Sequence, residues 1–435
     1  MSEVNQHYLD HVVTASASHE VEVTQDIVTR NGMKLLAKGS RVDAEVRDRL
    51  LQHKLSRPLE DCVAVAGGIS GEQIRDAAQA LLDRHPLLAA LGSDARAQSV
   101  ALSLGGLKLA PPMQSLLTVY AEHQPDRLAH CVGVALLAMS LGRRLRPGDI
   151  DSHRLLATAG LLHDVGELYI APAYLQRGTE LQLDQWKHIA SHPVSGHHVL
   201  REMEGAGQAI AELVLSHHER LDGFGYPRGL AAEQLSIDAQ ILACAEWLMG
   251  LIEAGSSPVA HASVATRLMP GEFSETLLQV LRVAGRASDE TSHLADEGRS
   301  LHEVLPRAIR VAEVLQRFRD LRLLIQARLD DATPELSAML ALCSQRMQQL
   351  QASFSSAGLD LHGPQHVVHE LAAQDPELEI EVVALVREFS WRMRELKRAA
   401  LLRSGLMSTT DQALVQELIG LLEGVVMADT FLQKD

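Results

Sequence analysis

The segment from residue 120 to residue 290 combines a strongly helical apolar pattern with an ordered series of histidines and carboxylates. Val134, Leu137 and Leu141 illustrate the pattern, because they recur at the spacing of one helix face. A polar, glycine-rich loop from Asp222 to Gly229 interrupts it. The ordered series runs His130, His163, Asp164, His192, His217, His218 and Glu246. A helical core whose histidines are organised, and not scattered, is therefore predicted.

The residue types in this series suit a divalent metal centre. Imidazole and carboxylate groups are ligands that Mn, Fe, Zn and similar divalent ions accept. Adjacent residues on a helix point about 100° apart, so the pairs His163-Asp164 and His217-His218 can each face a metal cluster from two sides. The aspartate of such a pair can bridge two ions. Two ions together hold an attacking hydroxide and neutralise a phosphate during in-line displacement.

Individual members of the series are weak signals. A single His-Asp pair among 21 histidines is expected by chance, and His192 alone could be a helix cap or a surface residue. The loop that begins at His217 is more specific. It reads HHERLDGFGYPRGL and follows the sequence GLLHDVGE by about fifty residues.

This loop and this spacing resemble the HD-GYP family, a branch of the HD superfamily of metal-dependent phosphohydrolases. The resemblance covers roughly residues 120 to 285 and includes the flanking sequences HIASHPVSGHHVL and FSETLLQVL. It implies a mostly α chain with an HD-type helical bundle core. It also implies two bound divalent ions, most often Fe or Mn, and hydrolysis of cyclic di-GMP to pGpG or GMP.

The resemblance also implies roles for single residues. Metal-ligand roles fall on His130, His163, Asp164, His192, His217, His218 and Glu246. Asp164 would bridge two ions and act in catalysis. Some family members bind a third ion through a glutamate four residues before the first histidine. Asp126, one methylene shorter, stands at that place here, so a third ion near Asp126 stays an open alternative.

A second set of residues matches the GYP signature of the family. These residues are Asp222, Gly223, Gly225, Tyr226 and Pro227. Glycine permits tight backbone turns, and proline fixes one φ angle. The resemblance implies that this loop borders the site, contacts the cyclic dinucleotide and docks GGDEF-type cyclases as protein partners.

Two departures from the family pattern fall near the expected phosphate site. The family usually reads HDIGK, with a lysine that contacts the scissile phosphate, whereas this chain carries Glu167 at that position. Losing such an electrostatic donor costs on the order of 10²–10³ in rate, and the reversal of charge should cost more unless Glu167 turns away or binds metal itself. Glu167 is therefore kept as a catalytic candidate.

The second departure lies in a later pattern. Met249 replaces an aspartate, Gln240 replaces an arginine, and residues 254–258 lack the usual basic side chains. A dianionic ligand would then depend almost wholly on the metals. Alternatively, Glu167 and Met249 are ordinary solvent-facing or packing positions.

Composition narrows the class of function. The chain has 40 basic and 56 acidic residues and a formal net charge of −16, which argues against non-specific binding to DNA, RNA or an anionic membrane. The four cysteines form no CxxC pair, so neither a thiolate zinc site nor a disulfide framework is indicated and a reducing cytoplasm is expected. The sequence also has no signal-peptide pattern, and no apolar run of the ~20 residues that a membrane helix needs.

Four regions are predicted along the chain. Near the N-terminus, Val21 and Val23 alternate with polar residues, and Asn31-Gly32 favours a hairpin. Amphipathic stretches near the C-terminus favour a helical bundle that could form a homodimer. The regions are a small β-containing N-terminal module (1–65), a helical connector (66–115), an HD-GYP-like domain (116–290) and a helical C-terminal bundle or dimerisation region (300–435).

Three functional hypotheses follow. The first is a cytoplasmic signalling enzyme, a cyclic di-GMP phosphodiesterase in which a metal-bound hydroxide at a binuclear site attacks a phosphodiester. Glu167 and Met249 motivate the second, a degenerate module that binds nucleotide or a partner protein without turnover. The third is an HD phosphohydrolase that acts on another phosphorylated substrate.

Overall fold

The computed structural model describes residues 4–93, 98–175, 183–254, 258–288, 318, 321–327, 332–356 and 376–426. Within these residues the protein is mostly helical and carries two short antiparallel sheets of two strands each. The predicted fold class, mostly α with a small β-containing N-terminal part, is therefore confirmed.

The secondary-structure elements are numbered here in chain order. The first eight helices are α1 (Gln6–Ala15), α2 (Ala44–Leu51), α3 (Gly71–Arg84), α4 (Pro86–Gly92), α5 (Val100–Gly105), α6 (Pro111–His123), α7 (Pro125–Leu145) and α8 (Ile150–Leu162). The next six are α9 (Leu183–Ile189), α10 (His192–Leu200), α11 (Gly207–Ser216), α12 (Ile237–Glu253), α13 (Pro258–Leu268) and α14 (Glu275–Ala287). The C-terminal helices are α15 (Pro334–Ser356), α16 (Pro376–Ser404) and α17 (Thr409–Val426). The strands are β1 (Val21–Val23), β2 (Ile27–Val28), β3 (Lys34–Leu36) and β4 (Val63–Val65).

The N-terminal strands form the two small sheets. β1 pairs with β4, with Val23 opposite Val63, and β2 pairs with β3 as a hairpin. Gly32 lies in the hairpin turn with a φ of +82°, a conformation that glycine adopts without steric cost. The hairpin predicted around Asn31-Gly32 is therefore present.

The chain divides into two compact units. Unit 1 comprises Met1–Arg177, His188–Gly250 and Thr276–Ser288, and unit 2 comprises Gly178–Lys187, Leu251–Glu275 and Asp289–Asp435. Unit 1 includes the whole ligand series from His130 to Glu246, together with the residues assigned from sequence to the N-terminal module and the connector. The division into four regions stays a prediction.

Helices α7 and α8 pack closely against each other in unit 1. A Cβ atom at Gly160 of α8 would lie 2.6 Å from the Cα atom of Ala135 in α7, so only glycine allows the two helices to approach this closely. The stretch Arg127–Leu145 is long and apolar enough, by length and composition alone, to cross a membrane. However, 72% of its most apolar window is buried inside the protein, as expected of a core helix.

Unit 2 contains a buried network of ion pairs. Arg392 of α16 pairs with Glu388 at 2.6 Å and with Glu272 at 2.5 Å, and Arg346 of α15 pairs with the same Glu272 at 3.1 Å. Charges can be buried here because each arginine faces carboxylates. Helices α15, α16 and α17 agree with the helical C-terminal region predicted for residues 300–435.

Candidate metal centre

Five helices of unit 1 bring the predicted ligand series to one place. His130 lies in α7 and Glu246 in α12. His163 caps the C-terminus of α8, where Asp164 follows it; His192 begins α10; and His217 caps the C-terminus of α11, where His218 follows it. A Cβ atom at position 166 would lie 2.0 Å from the His192 carbonyl oxygen, so Gly166 lets the turn after α8 contact α10.

The carboxylate of Asp164 lies between two groups of imidazoles. Its Oδ1 atom is 3.3 Å from His192 Nε2 and 3.6 Å from His217 Nε2. Its Oδ2 atom is 3.3 Å from His163 Nε2 and 3.8 Å from His130 Nε2. One oxygen therefore faces each group, which is the arrangement that a carboxylate bridging two metal ions needs.

Two sets of potential ligand atoms share this aspartate. The ligand atoms of Asp164, His192, His217 and His218 all lie within 4.8 Å of one another. The same holds for His130, His163 and Asp164. Glu246 lies beside the second set, since its Oε2 atom is 3.1 Å from His130 Nε2 and 3.2 Å from His163 Nε2. The structure thus brings together all seven residues for which a ligand role was predicted.

Three of the imidazole rings are oriented by the same kind of hydrogen bond to the backbone. Each donates its Nδ1–H to the carbonyl oxygen three residues earlier in the chain, at the end of a helix or in the turn that precedes one. The hydrogen bonds are His163 Nδ1 to Gly160 O (2.7 Å), His192 Nδ1 to Ile189 O (2.8 Å) and His217 Nδ1 to Val214 O (2.5 Å). This hydrogen bond fixes the orientation of each ring and leaves its Nε2 lone pair able to bind a metal ion.

The arrangement of the Nε2 atoms favours a cation bound between them. His192 Nε2 and His217 Nε2 are 3.0 Å apart, although the Nδ1 atom of each ring already serves as a donor. His163 Nε2 is buried and has no hydrogen-bond partner among the residues that the structure describes. Lone pairs that converge in this way need a proton or a metal ion between them. A set of imidazole nitrogens and carboxylate oxygens suits Mn, Fe or Zn.

The charges of the site also favour a cation. Burial alone would raise the pKa of Asp164, but His163, His192 and His217 hold that pKa well below its usual range. Burial likewise opposes ionisation of Glu246, yet His130 and His163 keep its pKa low. Two ionised carboxylates are therefore buried among imidazoles, and a bound metal ion would supply the positive charge that they attract.

Glu167 belongs to neither of the two ligand sets. Its carboxylate is buried, accepts a hydrogen bond from the Tyr120 hydroxyl at 2.7 Å, and lies 3.3 Å from Arg127 Nη2. Burial and the nearby charge of Asp164 raise the pKa of Glu167. Sequence reasoning missed Tyr120 and Arg127. The only sequence signal for Arg127 is its position three residues before His130, one helical turn away in α7.

The glycine-rich loop lies beside the ligand set formed by Asp164, His192, His217 and His218. The Tyr226 ring stacks on the His218 ring with their centroids 4.6 Å apart. A Cβ atom at Gly225 would lie 2.4 Å from Glu219 Cα and 2.5 Å from His218 O, so this position requires glycine. The loop therefore contacts the ligand region through Tyr226.

The remaining loop residues shape its backbone. Asp222 Oδ1 accepts a hydrogen bond from the Phe224 amide at 3.0 Å, and Gly223 has a φ of +74°. The peptide bond between Tyr226 and Pro227 is cis. Contact of Asp222, Gly223, Gly225, Tyr226 and Pro227 with a substrate stays a prediction.

Met249 packs between helices. It is buried, and a Cβ atom at Gly133 of α7 would lie 2.4 Å from its sulfur, so the two positions are complementary in shape. Gln240 donates a hydrogen bond to the Leu235 carbonyl oxygen. The packing alternative for Met249 is thereby favoured. The side chain of Asp126 and residues 255–257 lie outside the described residues, so the structure does not address a third ion there.

Comparison with known proteins matches residues 112–269 to the HD domain family. The cyclic di-GMP phosphodiesterase PA4108 of Pseudomonas aeruginosa is 35% identical over 112 residues, which cover 26% of this chain and 27% of that protein. The 3'3'-cGAMP-specific phosphodiesterase 3 of Vibrio cholerae is 24% identical over 205 residues, which cover 45% of this chain and 44% of that protein.

Among the solved structures that align with this chain is Bd1817, a HDG"Y"P protein from Bdellovibrio bacteriovorus, with a TM-score of 0.34 and 17% identity over 60% of this chain and 94% of that chain. This chain spans less than half the length of either curated relative.

Proposed function

We propose that the HD domain formed by residues 112–269, which is of the HD-GYP type, makes this chain a metal-dependent phosphodiesterase that hydrolyses cyclic di-GMP to pGpG or GMP. The observation that carries this proposal is the placement of Asp164, whose two oxygens each lie 3.3 Å from an imidazole of a different ligand set. Hydrolysis of a phosphodiester at a two-metal site uses such a bridging ligand.

The donor sets suggest how two ions would be shared. One ion would be held by His130, His163 and Glu246, the other by His192, His217 and His218, and both by Asp164. Fe or Mn suits this mixture of nitrogen and oxygen ligands. When bound, the ions supply Lewis acidity at the phosphate and activate a water molecule as nucleophile.

The protein's own contribution is orientation and charge. The backbone carbonyl groups of Gly160, Ile189 and Val214 fix three imidazole rings before any ion binds. Such preorganisation means that little reorganisation accompanies the reaction. Asp164 stays ionised in this buried setting, so it can bind two cations at once.

Substrate contact is proposed for the loop from Asp222 to Pro227. Tyr226 stacks on His218 and thus lies beside one proposed ion. An aromatic ring at this place suits contact with a guanine base of a cyclic dinucleotide, because base and ring can stack. The same loop is proposed to dock a GGDEF-type partner. A cytoplasmic location and a homodimer through residues 300–435 belong to the same proposal.

The degenerate alternative has weaker support. It was motivated by Glu167 and Met249, but Met249 fills space against Gly133 and Glu167 pairs with Tyr120 and Arg127. Neither side chain lies within the two ligand sets. The substitutions at these two positions are therefore compatible with an active site.

Turnover by matched variants tests the proposal. Wild-type protein loaded with Mn or Fe without oxygen should convert cyclic di-GMP to pGpG or GMP, as measured by chromatography. Asp164→Asn should lower kcat by about 10³-fold, because it removes the charge of the carboxylate that would hold both ions, and the bound ions would supply the electrostatic stabilisation of the transition state. Asp151→Asn is the control, since Asp151 is an exposed aspartate of helix α8, which ends just before His163 and Asp164. No product with any tested metal would overturn the proposal, and turnover of 3'3'-cGAMP alone would overturn the choice of substrate.

A further inference from the structure

We infer that Arg127 binds the substrate phosphate, and that Glu167 holds Arg127 in position for this task. The inference deepens the proposed function and rests on it, because it assumes a phosphoester substrate at the two-metal site. It assigns a binding role to a residue that no motif indicated.

The position of Arg127 places a cation beside Asp164. It lies in the first turn of α7, three residues before His130, so both side chains lie on the same side of the helix. Its Nη1 atom is 3.5 Å from Asp164 Oδ2, the oxygen that faces His163 and His130. A phosphate bound to an ion on this side of Asp164 would therefore lie beside the guanidinium group.

Two other contacts hold the guanidinium group in place. Arg127 Nε donates a hydrogen bond to Gln124 Oε1 at 3.0 Å, and Nη2 donates one to Glu167 Oε1 at 3.3 Å. The second oxygen of Glu167 accepts the Tyr120 hydroxyl at 2.7 Å, which fixes the carboxylate in turn. Tyr120 thus holds Glu167, and Glu167 holds Arg127. A side chain fixed in this way loses little freedom when it binds an anion.

The hydrogen-bonding capacity and exposure of Arg127 leave it able to accept a ligand. At 3.5 Å, the contact of Nη1 with Asp164 is an ion pair at the outer limit of a hydrogen bond. The Arg127 side chain is 23% exposed, whereas those of Asp164 and Glu167 are 5% and 8% exposed. The guanidinium group therefore lies nearer to solvent than the carboxylates that hold it.

The chemistry of the two partners also matches. A planar guanidinium group donates two parallel hydrogen bonds to a phosphate and stays charged at any physiological pH. Glu167 does not reverse the charge of the phosphate site, because its own charge is matched by Arg127. The cation missing from position 167 is thus supplied by position 127.

A purely structural role must be separated from phosphate binding. Arg127 could serve only to neutralise Glu167, which would otherwise be a buried unpaired carboxylate. The variant Arg127→Met/Glu167→Gln removes both charges of this pair. Its reference is Glu167→Gln, so that the two proteins differ only in Arg127. Arg144→Met is the control on the same helix, about 25 Å from Arg127 along the helix axis.

The probe is inorganic phosphate added to Mn-loaded protein, with affinity measured by isothermal titration calorimetry. Arg127→Met should bind phosphate about 10- to 100-fold more weakly than wild type, the loss expected for a charged hydrogen bond. Arg127→Met/Glu167→Gln should show the same loss relative to Glu167→Gln, and Arg144→Met should bind as wild type. Mn content and melting temperature, measured on the same samples, should be unchanged in the double variant.

Two results would overturn the inference. One is wild-type affinity for phosphate in Arg127→Met/Glu167→Gln, because Arg127 would then only neutralise Glu167. The other is absence of phosphate binding by Mn-loaded wild-type protein. Failure of the proposed function gives a different result from failure of this inference. If only the proposed function is wrong, phosphate binding still depends on Arg127, but cyclic di-GMP is not hydrolysed.

Discussion

The Nε2 atoms of His192 and His217 face each other at 3.0 Å in the core of unit 1, and each ring already donates its Nδ1–H to a backbone carbonyl group. Two neutral imidazoles in this arrangement present lone pair to lone pair. A cation between them converts this repulsion into two bonds. The local structure of α10 and α11 therefore favours a metal ion bound between these two rings. The stability of unit 1 should depend on that ion.

Metal removal should therefore lower stability. Loading with Mn at 100 times its dissociation constant should stabilise the fold by about 2.7 kcal/mol relative to chelated protein. In His192→Gln most of this gain should be lost, as measured by melting with and without Mn. His198→Gln is the matched control, because His198 is an exposed histidine of the same helix α10. Equal metal-dependent stabilisation in wild type and His192→Gln would contradict the ligand assignment.

Glu246 should affect one ion and not the other. Its Oε2 atom lies within 3.2 Å of His130 and His163, and it belongs to the proposed ion site on the α7 side. Glu246→Gln keeps the shape of the side chain and removes its charge. Metal analysis should find about one ion fewer per chain than in wild type. Glu253→Gln, at an exposed position of the same helix, should retain the wild-type metal content.

The close contact of α7 and α8 should tolerate no added methyl group. Gly160→Ala would put a Cβ atom 2.6 Å from Ala135 Cα, a backbone atom that cannot move by itself. The two helices would separate, with a loss of about 1–3 kcal/mol in the free energy of unfolding and reduced metal content. Gly250→Ala is the control, because no atom of the described residues lies within 4 Å of its Cβ position. That change should be neutral or stabilise α12 by up to about 1 kcal/mol.

The sequence could predict which residues of the ligand series lie together, because the resemblance to the HD-GYP family assigns a position to each of them. Their role as metal ligands stays a prediction. Arg127 could not be predicted in this way. It acts on Asp164 and Glu167, about forty residues away in sequence, and an arginine near a helix start has no pattern of its own. The division into two compact units could not be predicted from the sequence either, because residues 178–187 and 251–275 belong to the same unit as the C-terminal residues. Such assignments depend on packing between distant segments, which no local periodicity encodes.

The role of Met249 could not be decided from the sequence either, because its position allowed both packing and substrate contact. If it is a packing residue, Met249→Leu should cost less than about 1.5 kcal/mol in the free energy of unfolding. Met249→Asp should cost about 2–4 kcal/mol, because it buries a carboxylate against α7 without a partner. Urea unfolding measures both values. A stable Met249→Asp variant with raised phosphodiesterase activity would instead indicate a position that faces the substrate.

A pair of histidines outside the metal centre should make the stability of the protein depend on pH. The rings of His11 in α1 and His123 in α6 lie with centroids 3.8 Å apart. The Nε2 atom of each is buried and finds no hydrogen-bond partner within the described part of the chain. Burial, together with the neighbouring His123 and His7, lowers the pKa of His11 to about 4. The folded protein therefore keeps His11 neutral over a range in which the unfolded chain protonates it.

The sign of the effect follows from this difference. The unfolded chain binds a proton at His11 near pH 6.5, and the folded protein does so only near pH 4, so the contribution is complete above pH ~6.5 and is lost as pH falls towards 4. At pH 5 the loss should be about 2 kcal/mol. Urea unfolding measures the free energy of unfolding at pH 7.5 and at pH 5. The difference between the two values should be smaller in His11→Leu than in wild type by about this amount. His53→Gln, which changes a half-buried histidine outside the pair, should keep the wild-type dependence. An unchanged dependence in His11→Leu would mean that the His11–His123 contact does not contribute to the acid sensitivity of the fold.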